Sequence, residues 1–574
     1  MTFVKLENCK NCRFLPPFGQ LPCLKSLWIK GLASVESVDA KFYGECSLPF
    51  PVLEDLKFED MQNWKEWLPC KRDEEIQDFS CMEKLSVLSC PKLKGWLPKN
   101  VDSLSELYIV ECEELVVSIA NYKHVHKLCI NGCKRVVHRS GVKFELLEDI
   151  ELSSIPEFIL KIDGFIRGLT NIQRLRITGC EELTCLWENK DTWLQCRISN
   201  IIGGNISHSP SHFIQELRAL KSLVLTGCSN LIFFPEAGWP PCLEYVKMES
   251  LKDAGELESC LEGLEITECA SLTSLSGKGG RLPRAFKYLL ISDCEQLESI
   301  IETFHEDTCL EDLRIEKCAN LKSLPEGLCH LSTLRKLLIL ECGSLVSFSR
   351  GGLPSNLIDL DIFICDKLEA LPKGMDNLSS LQTLTLGYCG GLASILEEGF
   401  PPNLINLQIV NPKSCKPLSE WGLHHLDRLT SLIELDISGV DPDLVSFPPK
   451  EVLLPKSLIK LHIGEFPNLK RLSSSFQSLT SLESLSICYC PKVASIIPEQ
   501  EDHLPLSLTQ LRIYGGCPLL TKKYQPGKGR HWPKEIAHIP YVYVGYFKDE
   551  ARADRCQQHM PMEFISHTPP SPSN

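Results

Sequence analysis

Apolar residues return along most of this chain in one short phrase, L-x-x-L-x-I/L-x-x-C, with polar or variable residues between them. It reads LEDLRIEKC from Leu310 and LRKLLILEC from Leu334. Further copies end at Cys90, Cys112, Cys133, Cys180, Cys228, Cys269, Cys294, Cys365, Cys389 and Cys490. Units beginning at Leu24, Leu53, Leu147, Leu243, Leu404, Leu432, Leu458 and Leu508 keep the leucines without the in-frame cysteine. From Leu261 to Leu404 the starts are separated by 25, 24, 24, 23, 24 and 23 residues. Such regularity is a structural period, not a coincidence of composition.

A repeat of this length and content is that of a leucine-rich repeat, about 20–29 residues per unit. The second leucine and the isoleucine stand two apart, so both point to one face of a short strand. A single such strand cannot bury that face. Stacking copies does, and yields a parallel sheet over a continuous core. The cysteine lies three residues beyond, where the chain turns inward, and its small thiol can fill a buried slot and donate to a carbonyl. Counting Cys9, thirteen cysteines occupy this one position. A second signature follows, as in ANLKSLPEGL from Ala319 and DKLEALPKGM from Asp366. Its proline opens an irregular outer side, where no ladder N–H is needed. Repeats this short leave room for loops and 3₁₀ turns rather than full helices. The predicted fold is a leucine-rich-repeat solenoid, a curved horseshoe with a parallel β-sheet on the concave face and loops and 3₁₀ turns on the convex face.

The frame covers residues 1–547 in about 20 repeats. It is already running at Val4 to Cys9, the back half of a unit, so the first repeat reads as truncated and the chain as cut from something longer. Between Ile172 and Leu220 the spacing is 48, and the turn-rich GGNISHSPS from Gly203 marks an irregular insert near 187–215. The charged KRDEE at 71–75 reads as a solvated loop. From 548 to 574 the period is gone, and the tail ending HTPPSPSN is disordered by composition.

Composition narrows the chemistry. A net charge of −14 disfavours phosphate-rich partners, so neither nucleic acid nor an anionic membrane surface is an expected ligand. No run of about 18 apolar residues could span a membrane, and the N-terminus MTFVKLENCKNC lacks a signal peptide's apolar stretch. The 29 cysteines follow the leucine frame, which is not the habit of a short secreted disulfide scaffold. Cys9 and Cys12 form a lone CxxC without a partner pair at zinc spacing. The pairs Gly277-Lys278 and Gly527-Lys528 are each followed by glycine, so neither completes a phosphate-binding P-loop. His305-Glu306 opens a zincin-like motif, but Cys309 stands where the second histidine belongs. The residues therefore predict no enzyme, no cofactor and no metal.

The unit L-x-x-L-x-I-x-x-C-x-x-L-x-x-L-P resembles the repeat region of plant NB-LRR disease-resistance proteins of the coiled-coil class. The segment 507–544 is the more specific part: CPLL, a basic stretch, then WPKEIAHIP, similar to the end of that family's repeats. PLSEWGLHHL from Pro417 and LVSFPP from Leu444 are also like it. The resemblance implies a recognition module of intracellular immunity, in the cytoplasm or nucleus. Its expected partners are a pathogen effector, a guarded host protein, or the nucleotide-binding domain of a longer parent. The coiled-coil and nucleotide-switch modules of that family are missing from this sequence. The alternative is the substrate-recognition arm of an F-box ubiquitin ligase, whose cysteine-bearing repeats match L-x-x-L-P poorly; an extracellular receptor ectodomain fits less well.

Strand positions two, four and six after the first leucine face away from the core and stack side by side in successive repeats. In the middle repeats this places Leu340 beside Phe363, and Leu338 between Arg314 and Asp361. Asp312, Glu316, Lys336 and Asp359 surround them. An apolar centre inside a charged rim is the layout of a protein-docking surface. These nine residues are the candidate partner-binding set.

Overall fold

The computed structural model describes residues 1–70, 79–95, 97–98, 101–137, 142–159, 168–180, 217–228, 240–249, 260–275, 282–392, 399–410, 423–439, 441–450, 452–498, 503–524 and 533–545. The stretch 71–75, the segment 187–215, the pairs 277–278 and 527–528, residues 417–422 and the tail 548–574 lie outside them. Two compact units divide the chain: Met1–Glu302 with Asp307–Leu310, and Thr303–Glu306 with Glu311–Asn574.

In the first unit, twelve described strands pair in parallel and in chain order, from Phe3–Glu7 to Tyr288–Ser292. In the second, ten do so, from Asp312–Glu316 to Tyr541–Gly545. The phrase explains each strand. In Asp312–Glu316 the leucine and isoleucine are buried and the three alternate residues half-buried. Leu310, Leu313, Ile315 and Cys318 are all fully buried, and the same four positions repeat down the unit. Each such apolar side chain contributes about 1.5–3 kcal/mol by leaving water. The leucine-rich-repeat solenoid predicted from the period is the fold of the protein.

On the outer side, the described helical elements are short. They include the 3₁₀ turns Phe18–Gln20, Leu328–His330, Met375–Asn377 and Ser474–Ser478, and the short α-helices Ala40–Tyr43 and Pro518–Lys523. The first unit also packs an aromatic cluster that the period did not announce. Phe42, Tyr43, Phe50, Phe58, Trp64 and Phe79 are buried there, with Phe50 and Phe79 stacked 5.2 Å apart. It fills the longer outer turns of the early repeats.

The in-frame cysteines sit as the phrase requires. Cys342 is fully buried and donates to the carbonyl of Leu340 at 3.5 Å and of Ile315 at 3.9 Å. Cys389 repeats the arrangement on Gly387 and Ile362. Burial pushes the Cys342 thiol up to about 11 and the Cys133 and Cys490 thiols to about 12. Leu32, Met61, Ile155 and Phe466 fill the same slot, fully buried, in repeats without the cysteine. Filling volume is thus the first requirement there, and hydrogen bonding the second. Cys9 departs from the buried set: it is half-exposed, because its strand has a neighbour on one side only among the described residues.

The residue just before that slot adopts the left-handed conformation in every described repeat that reaches it, whether glycine or not. Gly179 has φ +60°, Lys317 +51°, Glu341 +54°, Ile364 +54° and Tyr388 +53°. The turn lets its N–H bond the next strand's last carbonyl, as Glu341 does with Phe363 and Ile364 with Gly387, both at 2.9 Å.

Candidate docking face

Because strand residues alternate, the core takes the leucine and isoleucine and leaves three residues per strand on the other face. In the second unit the register sets these in three rows. Asp312, Lys336 and Asp359 stand abreast, then Arg314, Leu338 and Asp361, then Glu316, Leu340 and Phe363. All nine candidate residues are therefore neighbours as the spacing implied. Arg314 forks onto its own strand's Asp312, with contacts of 3.1 and 2.9 Å, and Lys336 reaches Asp359 at 3.7 Å. Cross-strand pairs of this kind contribute about 0.2–1 kcal/mol each.

The expected exposed apolar centre is different in the folded chain. Leu338, Leu340 and Phe363 are each only 5% exposed. Parallel strands about 4.8 Å apart leave no gap between bulky neighbours, so long side chains cover one another from both sides. Phe363 goes further and lays its ring over the next strand's Gly387, where an added Cβ would fall 2.6 Å from the ring. The three residues form a floor rather than protruding contacts. The apolar group that does reach solvent is Ile364, one residue on, at 39% exposure. Within the floor, burial raises the Asp361 carboxyl above its ordinary range, although the Thr385 hydroxyl hydrogen-bonds it.

Farther along the same face lies a polar constellation that the sequence did not flag. Gln408 donates to Asp436 at 3.2 Å, and Ser438 donates to Asp436 at 3.0 Å. His462 follows, its Nε2 3.3 Å from the buried Cys488 thiol and its Nδ1 3.5 Å from the Tyr514 hydroxyl. Gly464 makes this possible: a Cβ there would meet Ser438 Oγ at 2.7 Å and Cys488 Sγ at 2.9 Å. Burial pushes the His462 imidazole down to about 4, so it is neutral at pH 7. No single repeat carries this signal, since the residues come from five successive strands.

In the first unit the face is a charged lattice. Trp28 lies between Lys5 and Lys57, 4.0 and 4.5 Å from its ring centroid. Glu59 receives Lys30 at 2.7 Å and Lys57 at 2.6 Å, which holds its carboxyl down to about 2. Lys84 pairs with Glu106 at 2.8 Å, and Asp149 takes both Lys127 at 3.6 Å and Arg174 at 3.2 Å. At the lone CxxC, Cys9 donates to Glu7 and Cys12 to Phe14. No helix among the described residues is long and apolar enough to cross a membrane.

No family model matches the chain. A putative disease resistance protein of Arabidopsis thaliana, At3g14460, is 28% identical over 95% of this chain and 44% of its own length. The putative disease resistance RPP13-like protein 1 of the same plant is 32% identical over 32% of this chain and 19% of itself. Disease resistance protein RGA2 of Solanum bulbocastanum is 32% identical over 23% of this chain and 14% of itself. The chain thus spans less than half the length of these relatives. Among solved structures, YopM from Yersinia enterocolitica is 20% identical, with 84% of this chain and 88% of that one covered and a TM-score of 0.45. The Leptospira interrogans LRR protein LIC12759 is 18% identical, with 85% and 91% covered and a TM-score of 0.31. The curated relatives of this chain are plant disease-resistance proteins, as its repeat phrase and C-terminal motif suggested.

Proposed function

We propose that this chain is a non-enzymatic protein-recognition module of plant intracellular immunity. It senses a pathogen effector or a guarded host protein, and it regulates a nucleotide-binding switch. The observation that carries the reading is the similarity to a disease resistance protein over 95% of the chain. The uninterrupted strand faces support it, since each repeat there presents side chains chosen independently of the core. The nine residues from Asp312 to Phe363 belong to the docking face: Lys336 and Asp359 as polar contacts, and Leu338, Leu340 and Phe363 as the floor that fixes its shape. The module acts in the cytoplasm or nucleus.

The test is to graft these repeats onto the remaining segments of the Arabidopsis relative and read the defence response of leaf tissue to a panel of pathogens. Lys336→Glu with Asp359→Lys reverses one charge pair without touching the core. Loss of a response that the unmodified graft supports, with an unchanged circular dichroism spectrum, is the expected result. A graft that responds identically with and without the reversal removes these residues from recognition.

A further inference from the structure

Each repeat also has a fixed position just before its phrase begins, at the turn that leads into the strand. Serine or asparagine often stands there, and its side chain reaches back to the preceding repeat. Ser103 donates to the Ser80 carbonyl at 2.6 Å, Asn356 to that of Ser332 at 2.7 Å and Asn403 to that of Ser379 at 2.8 Å. Five copies carry cysteine instead: Cys23, Cys81, Cys242, Cys260 and Cys309, all of them exposed. Unlike the in-frame cysteines, these fill no core slot. Cys81 makes the same backward reach, donating to the Pro51 carbonyl at 3.3 Å.

Two of the five fall in consecutive repeats. The strands Tyr245–Glu249 and Gly263–Thr267 pair in parallel, with Tyr245 opposite Gly263. Cys242 and Cys260 each lie three residues before those partners, so the register sets them side by side. That register is already held at the turn, where the N–H groups of Glu262 and Gly263 both bond the Glu244 carbonyl, at 2.7 and 3.0 Å. In-register residues of neighbouring parallel strands are about 4.8 Å apart. A disulfide spans Cα atoms about 4.4–6.8 Å apart, so the pair lies within its reach. Exposure leaves both side chains free of packing, and each thiol can take a staggered rotamer that faces the other. Cys81 is the contrast, for its register neighbours at this position are Val52 and Ser103.

We infer that Cys242 and Cys260 form a modification site, a dithiol that hydrogen peroxide converts to a disulfide linking two consecutive repeats. The thiolate of one cysteine attacks a peroxide oxygen and the O–O bond breaks. A sulfenic acid forms, and the hydroxide that leaves takes up the thiol's proton to become water. The second thiolate then attacks the oxidised sulfur, the S–O bond breaks, and the departing hydroxide is protonated in turn. Two thiols and one hydrogen peroxide thus become one disulfide and two waters. The second step is fast, because the register already holds the partner thiol beside the sulfenic acid. Nothing in this chemistry depends on which partner the repeats recognise.

To test it, the full chain is reduced, freed of reductant and treated with hydrogen peroxide, with and without dimedone to trap sulfenic acid. It is then denatured in N-ethylmaleimide, which blocks the remaining thiols, and digested after glutamate. Cleavage at Glu236, Glu244, Glu258 and Glu262 isolates residues 237–244 and 259–262, each with a single cysteine, so the linked pair has its own mass. The variants are Cys242→Ser and Cys260→Ser. Serine stands at this position in other copies, as Ser431, Ser457, Ser481 and Ser507, so both variants keep the fold. The expected result is a linked peptide that holds most of the recovered Cys242, is released by dithiothreitol and is lost in either variant. In Cys260→Ser, Cys242 should instead take up about tenfold more dimedone than in the wild type, because the thiol that captured its sulfenic acid has gone. Four outcomes overturn the inference: no linked peptide; links from the two cysteines to other thiols in its place; a linked peptide confined to covalent dimers on a non-reducing gel; or equal dimedone uptake by Cys242 in the wild type and Cys260→Ser.

Discussion

Cys342 offers the most direct test of the repeat's physics. Its thiol is fully buried, faces two carbonyl oxygens at 3.5 and 3.9 Å, and holds its proton up to about 11. Cys342→Ala removes one sulfur from a packed slot and should cost about 1–2 kcal/mol. Cys342→Val conserves the volume and should cost less than about 1.5 kcal/mol, since leucine, methionine and isoleucine occupy the slot elsewhere. Cys342→Asp sets a carboxylate against two carbonyl oxygens without a cation, at about 3–5 kcal/mol. Urea unfolding followed by circular dichroism measures these differences, and bulky-maleimide labelling before and after denaturation reports whether the thiol was buried. The aspartate should also recover part of its loss as pH falls. Burial raises its folded-state pKa, so the neutral form is favoured below that value, and alanine shows no such recovery. A Cys342→Asp midpoint equal to wild type, or an alanine variant worse than aspartate, would refute the reasoning.

Three further outcomes are expected. Glu59 has a depressed folded-state pKa of about 2, so its contribution is complete above about pH 4.3 and is lost as pH falls toward 2. Glu59→Gln should lower the unfolding free energy by about 1–2 kcal/mol at pH 7, a gap that closes at pH 2 in acid titrations of stability. His462 is held neutral down to about pH 4, so stability should decline as pH drops from about 6.5 to 4 while the unfolded chain takes up a proton. His462→Gln should flatten that decline in thermal melts across the same range. Gly387→Ala places a Cβ 2.6 Å from the Phe363 ring and should cost about 1–3 kcal/mol, a penalty that Phe363→Ala in the same chain largely removes.

The period alone carried the fold, because the core is the same handful of positions rewritten in each repeat. Leu310, Leu313, Ile315 and Cys318 need no long-range information to be assigned inward; each only has to meet its own copy one repeat away. The register of the nine candidate residues was legible for the same reason. Their exposure was not. Whether Phe363 protrudes depends on what stands beside it, and the deciding residue is Gly387, in the next repeat and invisible to a pattern read within one. The His462 constellation was hidden in the same way, since Asp436, Ser438, His462, Cys488 and Tyr514 come from four successive strands. The aromatic cluster of the first unit escaped because all its members but the strand residue Phe58 lie in outer turns, where length varies and no period constrains the residue.

Repetition also separates what the fold needs from what it only tolerates. A position that takes cysteine, leucine, methionine, isoleucine or phenylalanine in different copies, buried in all of them but Cys9, is answering to volume. The turn position before it takes glycine, asparagine, serine, aspartate, glutamate, lysine and tyrosine, and answers to backbone conformation. Each copy is thus a control for the others within one molecule. Against that control Ile364 stands out as the only β-branched residue among the described left-handed positions, with 39% of its surface exposed. Asp361 is anomalous in the complementary sense, a carboxylate set on an apolar floor with no cation in contact among the described residues. Asp361 lies within its strand and Ile364 in the turn just past its end. A residue that departs from both rules is therefore one that the repeat itself does not specify.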